Sequence, residues 1–235
     1  MKIVLLPGLA CDGELFAPQT AALKARGLDV HVSDVHTRCT SLPEMARTLL
    51  AEQGGRLCPV GVSMGGMLAL EVQRQAPDRV GAMALLGSTA RPDTPELLAL
   101  RTQACEMFAS GRMDEVLRAN VPFAFHPANA GDGALVGAYL AMVRRAGPAQ
   151  LIAQNRAVMA RIDSRPLLQH VGCPVLVLCG QADRLTTPEH AEEMAALLPH
   201  AELHLLPGAG HMLTMEQPQQ VNTLLLAWLQ KLGQQ

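Results

Sequence analysis

Short apolar runs rich in Val, Ile and Leu recur along the chain, and most are separated by stretches whose apolar positions repeat every three to four residues. The runs lie at Lys2–Leu6, Asp29–Ser33, Cys58–Val62, Val80–Leu86, Pro174–Cys179 and Glu202–Leu206. They are mostly continuous rather than alternating, which predicts strands buried on both faces. Helical patterns cover Phe16–Arg26, Ser41–Gln53, Met64–Ala76, Pro188–Leu198 and Pro218–Leu232. Gly27 closes the first at a position that favours a left-handed backbone. Ser41-Leu42-Pro43-Glu44 reads as a capping box opening the second, with a proline in its first turn. Pro77 stops the third. Strands alternating with helices predict an α/β fold: a mostly parallel sheet of about six strands with helices on both faces.

One region breaks the alternation. Between Leu86 and Pro174 lie more than 80 residues without a convincing strand. Helical segments are expected near Pro95–Ala109, Met113–Ala119, Gly133–Ala146 and Pro148–Ala160, separated by Gly, Pro and Asn. A parallel crossover needs only about a dozen residues, and structureless loops this long are rare. The expected organisation is a core of residues 1–90 and 166–235 with a helical cap, residues 91–165, inserted in it. The 235-residue length agrees with this, being too long for one average domain and short for two.

Composition narrows the functional classes. Apolar residues make up 49% and charged residues 17%, which excludes a disordered chain. A net charge of −2 argues against a nucleic-acid partner or a polybasic membrane contact. The aromatic residues are few (Phe16, Phe108, Phe123, Phe125, Tyr139 and Trp228), so ligand recognition is expected to be largely aliphatic. The six cysteines show no C-x-x-C spacing, and the histidines no H-x3-5-H pair, so a zinc site is not expected. Several lie in apolar runs that suit buried free thiols, and reduced cysteines fit a cytoplasmic protein. Met1–Leu6 mimics a signal sequence, but its apolar run is too short before Pro7-Gly8 and reads better as a strand. No run approaches the length of a membrane span.

The candidate chemistry begins at Gly61-Val62-Ser63-Met64-Gly65-Gly66, a G-x-S-x-G pattern. It directly follows an expected strand and directly precedes an expected helix, the context that gives the pattern meaning. Such a turn needs small neighbours and holds the Ser63 hydroxyl at a helix N-terminus, where oxyanion charge is favoured. Serine is a weak nucleophile and needs a base. His211, in the loop between the last strand and the last helix, stands at the same carboxyl edge of the sheet. Asp183, just past the Pro174–Cys179 strand, fits the orienting carboxylate in the chain order Ser, Asp, His; Asp93 is the alternative acid. An oxyanion hole needs two N–H donors. Met64 is the candidate for one, and Leu9, in the loop after the first strand, for the other.

With these residues in place the chain resembles the serine-hydrolase branch of the α/β-hydrolase fold. It is similar to small carboxylesterases, acyl-carrier methyl ester esterases and proline iminopeptidase-like proteins. The segments that carry the resemblance are the Ser63 motif, Gly180-Gln181-Ala182-Asp183 with Thr187-Pro188 after it, and Gly210-His211 followed by Glu216-Gln217-Pro218. The resemblance implies a Ser63, Asp183 and His211 triad with Leu9 and Met64 as backbone donors. Two departures stand out. Family members usually have His-Gly where this chain has Pro7-Gly8, and they open with two further strands missing here. Ser63 separates the chain from dehalogenase-like and epoxide-hydrolase-like members, which place Asp there.

The expected activity is hydrolysis of a carboxylic ester through an acyl-enzyme on Ser63, with a small to medium, mainly apolar and uncharged substrate. The alternatives are an amidase or iminopeptidase, a C–C bond hydrolase or lyase, or a non-catalytic small-molecule-binding member. No metal or organic cofactor is expected, and no nucleic-acid or membrane partner. Met212 is expected to line the acyl pocket, with Phe108, Phe123, Phe125, His126 and several methionines from the cap. Arg144-Arg145 fits a solvated helix face better than an anion site.

Overall fold

A computed structural model describes residues 1–233; the last two residues of the expected second core segment, 166–235, lie outside the described residues. The chain runs β1 (Lys2–Leu6), α1 (Ala17–Lys24), β2 (Val30–Val32), α2 (Val35–Arg38), α3 (Leu42–Glu52), β3 (Leu57–Val62), α4 (Met64–Gln75) and β4 (Met83–Leu86). Then follow α5 (Pro95–Ala109), α6 (Met113–Ala124), α7 (Gly133–Met159), α8 (Arg165–Leu168), β5 (Val175–Gly180), α9 (Pro188–Leu197), β6 (Ala201–Leu206), α10 (Leu213–Glu216) and α11 (Pro218–Leu232). The six strands form one sheet in the order β2-β1-β3-β4-β5-β6, and every neighbouring pair is parallel. The chain leaves β1 to one side for β2 and returns to the other side for β3. The carboxyl ends of β1 and β3 therefore flank the switch point where α/β sheets bind ligands.

Alternate residues of each strand enter different cores. Val4, Leu6, Met83, Leu85 and Val177 pack against α3, α4 and α9. Ile3, Leu5, Val60, Leu86 and Leu178 pack against α1, α11 and part of the α5–α7 segment. Both faces of the sheet are apolar, which is why the central strands read as unbroken runs. The edge strand β6 is half-buried, and Glu202 and His204 on it pair with each other, with Lys231 on Glu202 as well. Charged side chains on an edge discourage pairing with another chain.

Most elements follow local chemistry. Ser41 accepts a hydrogen bond from the Glu44 N–H, while the Glu44 carboxylate takes the Thr40 N–H. Gly27 stands at φ 71° after α1. The expected strand Val80–Leu86 is shorter, because a 3-10 turn at Pro77–Arg79 holds Val80 and leaves it one isolated bridge to Leu57. The expected helix ending at Ala119 runs on to Ala124, its Pro122 tolerated because Leu117, Val121 and Ala124 keep a buried face. The two helices expected on either side of Gly147 form one element broken there, where Gly147 takes φ 74° and Pro148 restarts the helix. The one-turn helices α2, α8 and α10 are too short for a periodic signal. The six cysteines are free. Among the described residues no helix is long and apolar enough to cross a membrane.

Candidate active site

Ser63 is the single residue between β3 and α4. Its backbone stands at φ 54°, ψ −116°, a conformation that costs a non-glycine residue about 1–3 kcal/mol. The surroundings enforce it. Its N–H donates to the Leu86 carbonyl at 2.9 Å, and its own carbonyl accepts from Gly66 N–H at 2.9 Å, Met67 N–H at 3.2 Å and the Ser88 hydroxyl at 2.8 Å. The glycines are needed for close approach: a Cβ on Gly61 would fall on the Gly65 backbone, and one on Gly65 would fall on the Leu6 backbone. Strand, turn and helix are thus locked together, with a half-exposed serine at the apex.

His211 and Asp183 come from the loops that follow β6 and β5. Nδ1 of His211 lies 2.8 Å from Oδ2 of Asp183. An ionised carboxylate only accepts, so this contact places the imidazole proton on Nδ1 and leaves Nε2 free to accept. Asp183 is buried and well satisfied: Oδ1 takes the Leu185 and Thr186 N–H groups, each at 2.9 Å, and Oδ2 also takes the Thr186 hydroxyl at 2.9 Å. Burial pushes its pKa up, but its electrostatic contact with His211 and these hydrogen bonds outweigh it and hold the carboxyl below its usual range. Glu216 supports the same loop from α10, accepting the Gly210 N–H on one oxygen and the His126 N–H and Asn129 amide on the other. Asp93, the alternative acid, is not the partner of His211; it is paired with Arg101 and Arg161.

The loop after β1 is a turn closed by Cys11 N–H on the Gly8 carbonyl, with Ala10 at φ 60°. It is clamped from outside. The Gln154 amide oxygen, on α7, accepts the Ala10 N–H at 2.6 Å, and its NH₂ group donates to the His36 carbonyl at 2.9 Å. Nε2 of His36 in turn donates to the Cys11 carbonyl at 2.8 Å. Burial lowers the His36 pKa against the pull of that hydrogen bond, so the clamp is neutral at pH 7. The Ala10 and Cys11 N–H groups are thereby engaged. Among the described residues no acceptor meets the Leu9 N–H, nor that of Met64 at the first helical position.

These groups open into one cavity of about 380 Å³ between the sheet edge and α5–α7. Ser63, His211, Leu9, Met64 and Met212 all line it. Among the described residues no hydrogen bond joins the Ser63 hydroxyl to His211; such contacts are often long without substrate and tighten when it binds.

Three expected lining residues are elsewhere. Phe123 is 42% exposed, with Arg184 stacked over its ring. Phe125 is fully buried, its ring nearly perpendicular to that of Tyr139 with centroids 5.3 Å apart. His126 folds over its own turn, Nδ1 accepting the Ala128 N–H. The α6 helix continues to Ala124, and Phe123, Phe125 and His126 at its end fall outside the cavity; Phe108 lines it as expected, together with Tyr139. The lining methionines are Met64, Met67 and Met212, none of them from the α5–α7 segment. Gln154, His36, Ser88 and Thr186 were not legible as site residues, while Glu216 stood in a segment that carried the resemblance but without an assigned role. Each acts through a contact distant in sequence or through a common polar residue in no recognisable motif.

A parallel sheet of this order, with a strained serine turn at its switch point, defines the α/β-hydrolase class. Residues 3–224 match the alpha/beta hydrolase family, and the chain belongs to it. A pimeloyl-acyl-carrier-protein methyl ester esterase of Nitrosomonas europaea is 30% identical over 187 residues, spanning 77% of this chain and 74% of its own. A protein of Enterobacter cloacae, RutD, named for carbamate hydrolysis, is 26% identical over 98% of this chain and 91% of its own. A thermophilic esterase from Thermogutta terrifontis, solved with malate bound, is similar in structure at a TM-score of 0.90, with 26% identity over 99% of this chain and 90% of its own.

Proposed function

We propose that the protein is a serine hydrolase that cleaves a carboxylic ester with a small to medium, mainly apolar acyl chain. The observation that carries this reading is the Asp183-held His211 opening into the same cavity as Ser63 on its strained turn. His211 Nε2 takes the Ser63 proton as the hydroxyl attacks the ester carbonyl carbon. The Leu9 and Met64 N–H groups, which meet no acceptor among the described residues, hold the developing oxyanion. His211 then protonates the departing alcohol, leaving an acyl-enzyme on Ser63. Water, activated by the same imidazole, releases the acid. Asp183 stays ionised throughout and keeps the imidazole in one tautomer.

The relatives named as methyl ester esterase and thermophilic esterase support ester chemistry over the other reactions the scaffold allows. The test is intact mass after treatment with a fluorophosphonate, together with a p-nitrophenyl ester series from acetate to decanoate. A single adduct on Ser63 is expected, and Ser63→Ala should reduce turnover by about 10⁴- to 10⁶-fold. Turnover that survives Ser63→Ala undiminished rejects the mechanism.

A further inference from the structure

One wall of the Ser63 cavity carries more positive charge than its own carboxylate neutralises. Asp93, in the β4–α5 connection with its carboxylate buried, accepts from two guanidiniums: Arg101 Nε at 2.8 Å on one oxygen and Arg161 Nη2 at 2.7 Å on the other. All three residues line the cavity, so a local charge of +1 remains. Arg161 is otherwise engaged, its Nε on the Arg91 carbonyl and its Nη1 on the Val158 carbonyl. Arg91 also lines the cavity, but its charge is met by Glu193. Arg101 differs. Its Nη1 donates to the Asn155 amide oxygen at 3.0 Å, and among the described residues no acceptor meets its Nη2.

Tying Asp93 in place needs one arginine. A second, half-buried beside it and repelled by the first, is a standing cost unless another anion arrives. Burial and the Arg161 charge hold the Arg101 pKa below its usual range, while Asp93 pulls the other way. The rest of the cavity lining is mostly apolar, with Leu97, Ala104, Phe108 and Leu117 among its side chains, and the cavity that holds both Arg101 and Ser63 is only about 380 Å³. A ligand that matches both ends has a reactive carbonyl, a short methylene chain and a terminal anion. A planar guanidinium fork favours a carboxylate there.

We propose that Arg101, oriented by Asp93 and Asn155, is a carboxylate subsite, and that the ester cleaved at Ser63 is a half-ester of a short dicarboxylic acid. This rests on the ester-hydrolase reading and replaces the uncharged substrate expected from the sequence. Arg144 and Arg145, the arginines that stand out in the sequence, do not serve: they pair with Asp114 and with Asp12 and Glu14.

The test compares monomethyl succinate, glutarate and adipate with neutral isosteres, such as methyl 5-methylhexanoate for the glutarate. The best half-ester should exceed its isostere in kcat/KM by at least ~10-fold, the scale of one unshared charge-assisted contact. Arg101→Met should collapse that ratio, and Arg101→Lys, which keeps charge but not the fork, should reduce it less. A wild-type preference for the neutral ester overturns the proposal. So does a ratio unchanged in Arg101→Met, with melting temperature reporting any purely structural loss. If neither ester is cleaved, the ester reading fails and calorimetry of glutarate on Ser63→Ala still decides the subsite. Binding weakened at least ~10-fold by adding Arg101→Met supports it; no binding of succinate, glutarate or adipate overturns it. Should Arg101→Met not fold, the wild-type ratio and Arg101→Lys decide.

Discussion

The helices α4 and α5 are built from similar apolar content and are packed very differently. In α4, ten of twelve residues are buried, wedged between the sheet and α3. In α5, one of fifteen is buried, Phe108, while Leu97, Leu98 and Leu100 are exposed. The first carries the Ser63 turn at its N-terminus; the second lines the facing wall of the cavity. A reacting group must be held to within a fraction of an ångström, and dense packing does that. A cavity wall that admits ligands has room in front of it, so its apolar side chains lack neighbours until a ligand supplies them. The difference between the two helices is the difference between holding a reacting atom and framing a space.

The contrast can be broken or sharpened by substitution. The largest effect belongs to the rigid side: His211→Ala should lower kcat by about 10⁴- to 10⁶-fold with little change in melting temperature, measured by ester turnover and calorimetry. Next is packing itself. Leu68→Ala, at a 2% exposed position in α4, should destabilise the fold by ~2–5 kcal/mol in urea unfolding. The link between the two regions comes third. Gln154→Leu removes the α7 clamp on the Ala10 N–H, and kcat should fall by about 10-fold with KM little changed, a modest share of what losing an oxyanion donor costs. Gln154→Glu, which keeps the acceptor, should recover part of that. A change in KM alone would show that Gln154 shapes binding rather than the oxyanion loop. The smallest effect is expected at the 60% exposed Leu100 in α5: Leu100→Ala should shift stability by within about 0.5 kcal/mol. A loss there as large as at Leu68 would mean that α5 is packed by a partner and is no open wall.

The same contrast explains what was legible. Strands β1, β3 and β5 are continuous apolar runs because both their faces are buried, and their limits agree with the sequence to within a residue or so. The Ser63 turn is legible because sterics require its glycines at fixed spacing. Around α5–α7 the periodic signal still marks helices, but it carries no information on which side faces a cavity. Phe123, Phe125 and His126 illustrate this: apolar or ring-bearing residues in the right segment, at the end of an α6 that runs on five residues further, that fall outside the cavity.

The α/β architecture, the order of its elements and the identity of the serine turn were readable from the residues alone, because they depend on local periodicity, turn chemistry and short-range sterics. The remaining contacts came from the folded chain. The pairing of His211 with Asp183 was foreseen from chain order, and the fold supplied its geometry, 2.8 Å across 28 residues. The fold also clamped the Leu9 loop with Gln154 from 144 residues away, and it gathered Arg101 and Arg161 around Asp93. These contacts join common polar residues that leave no periodic trace. They exist only where the folded backbone brings a donor to an acceptor and burial makes that match matter.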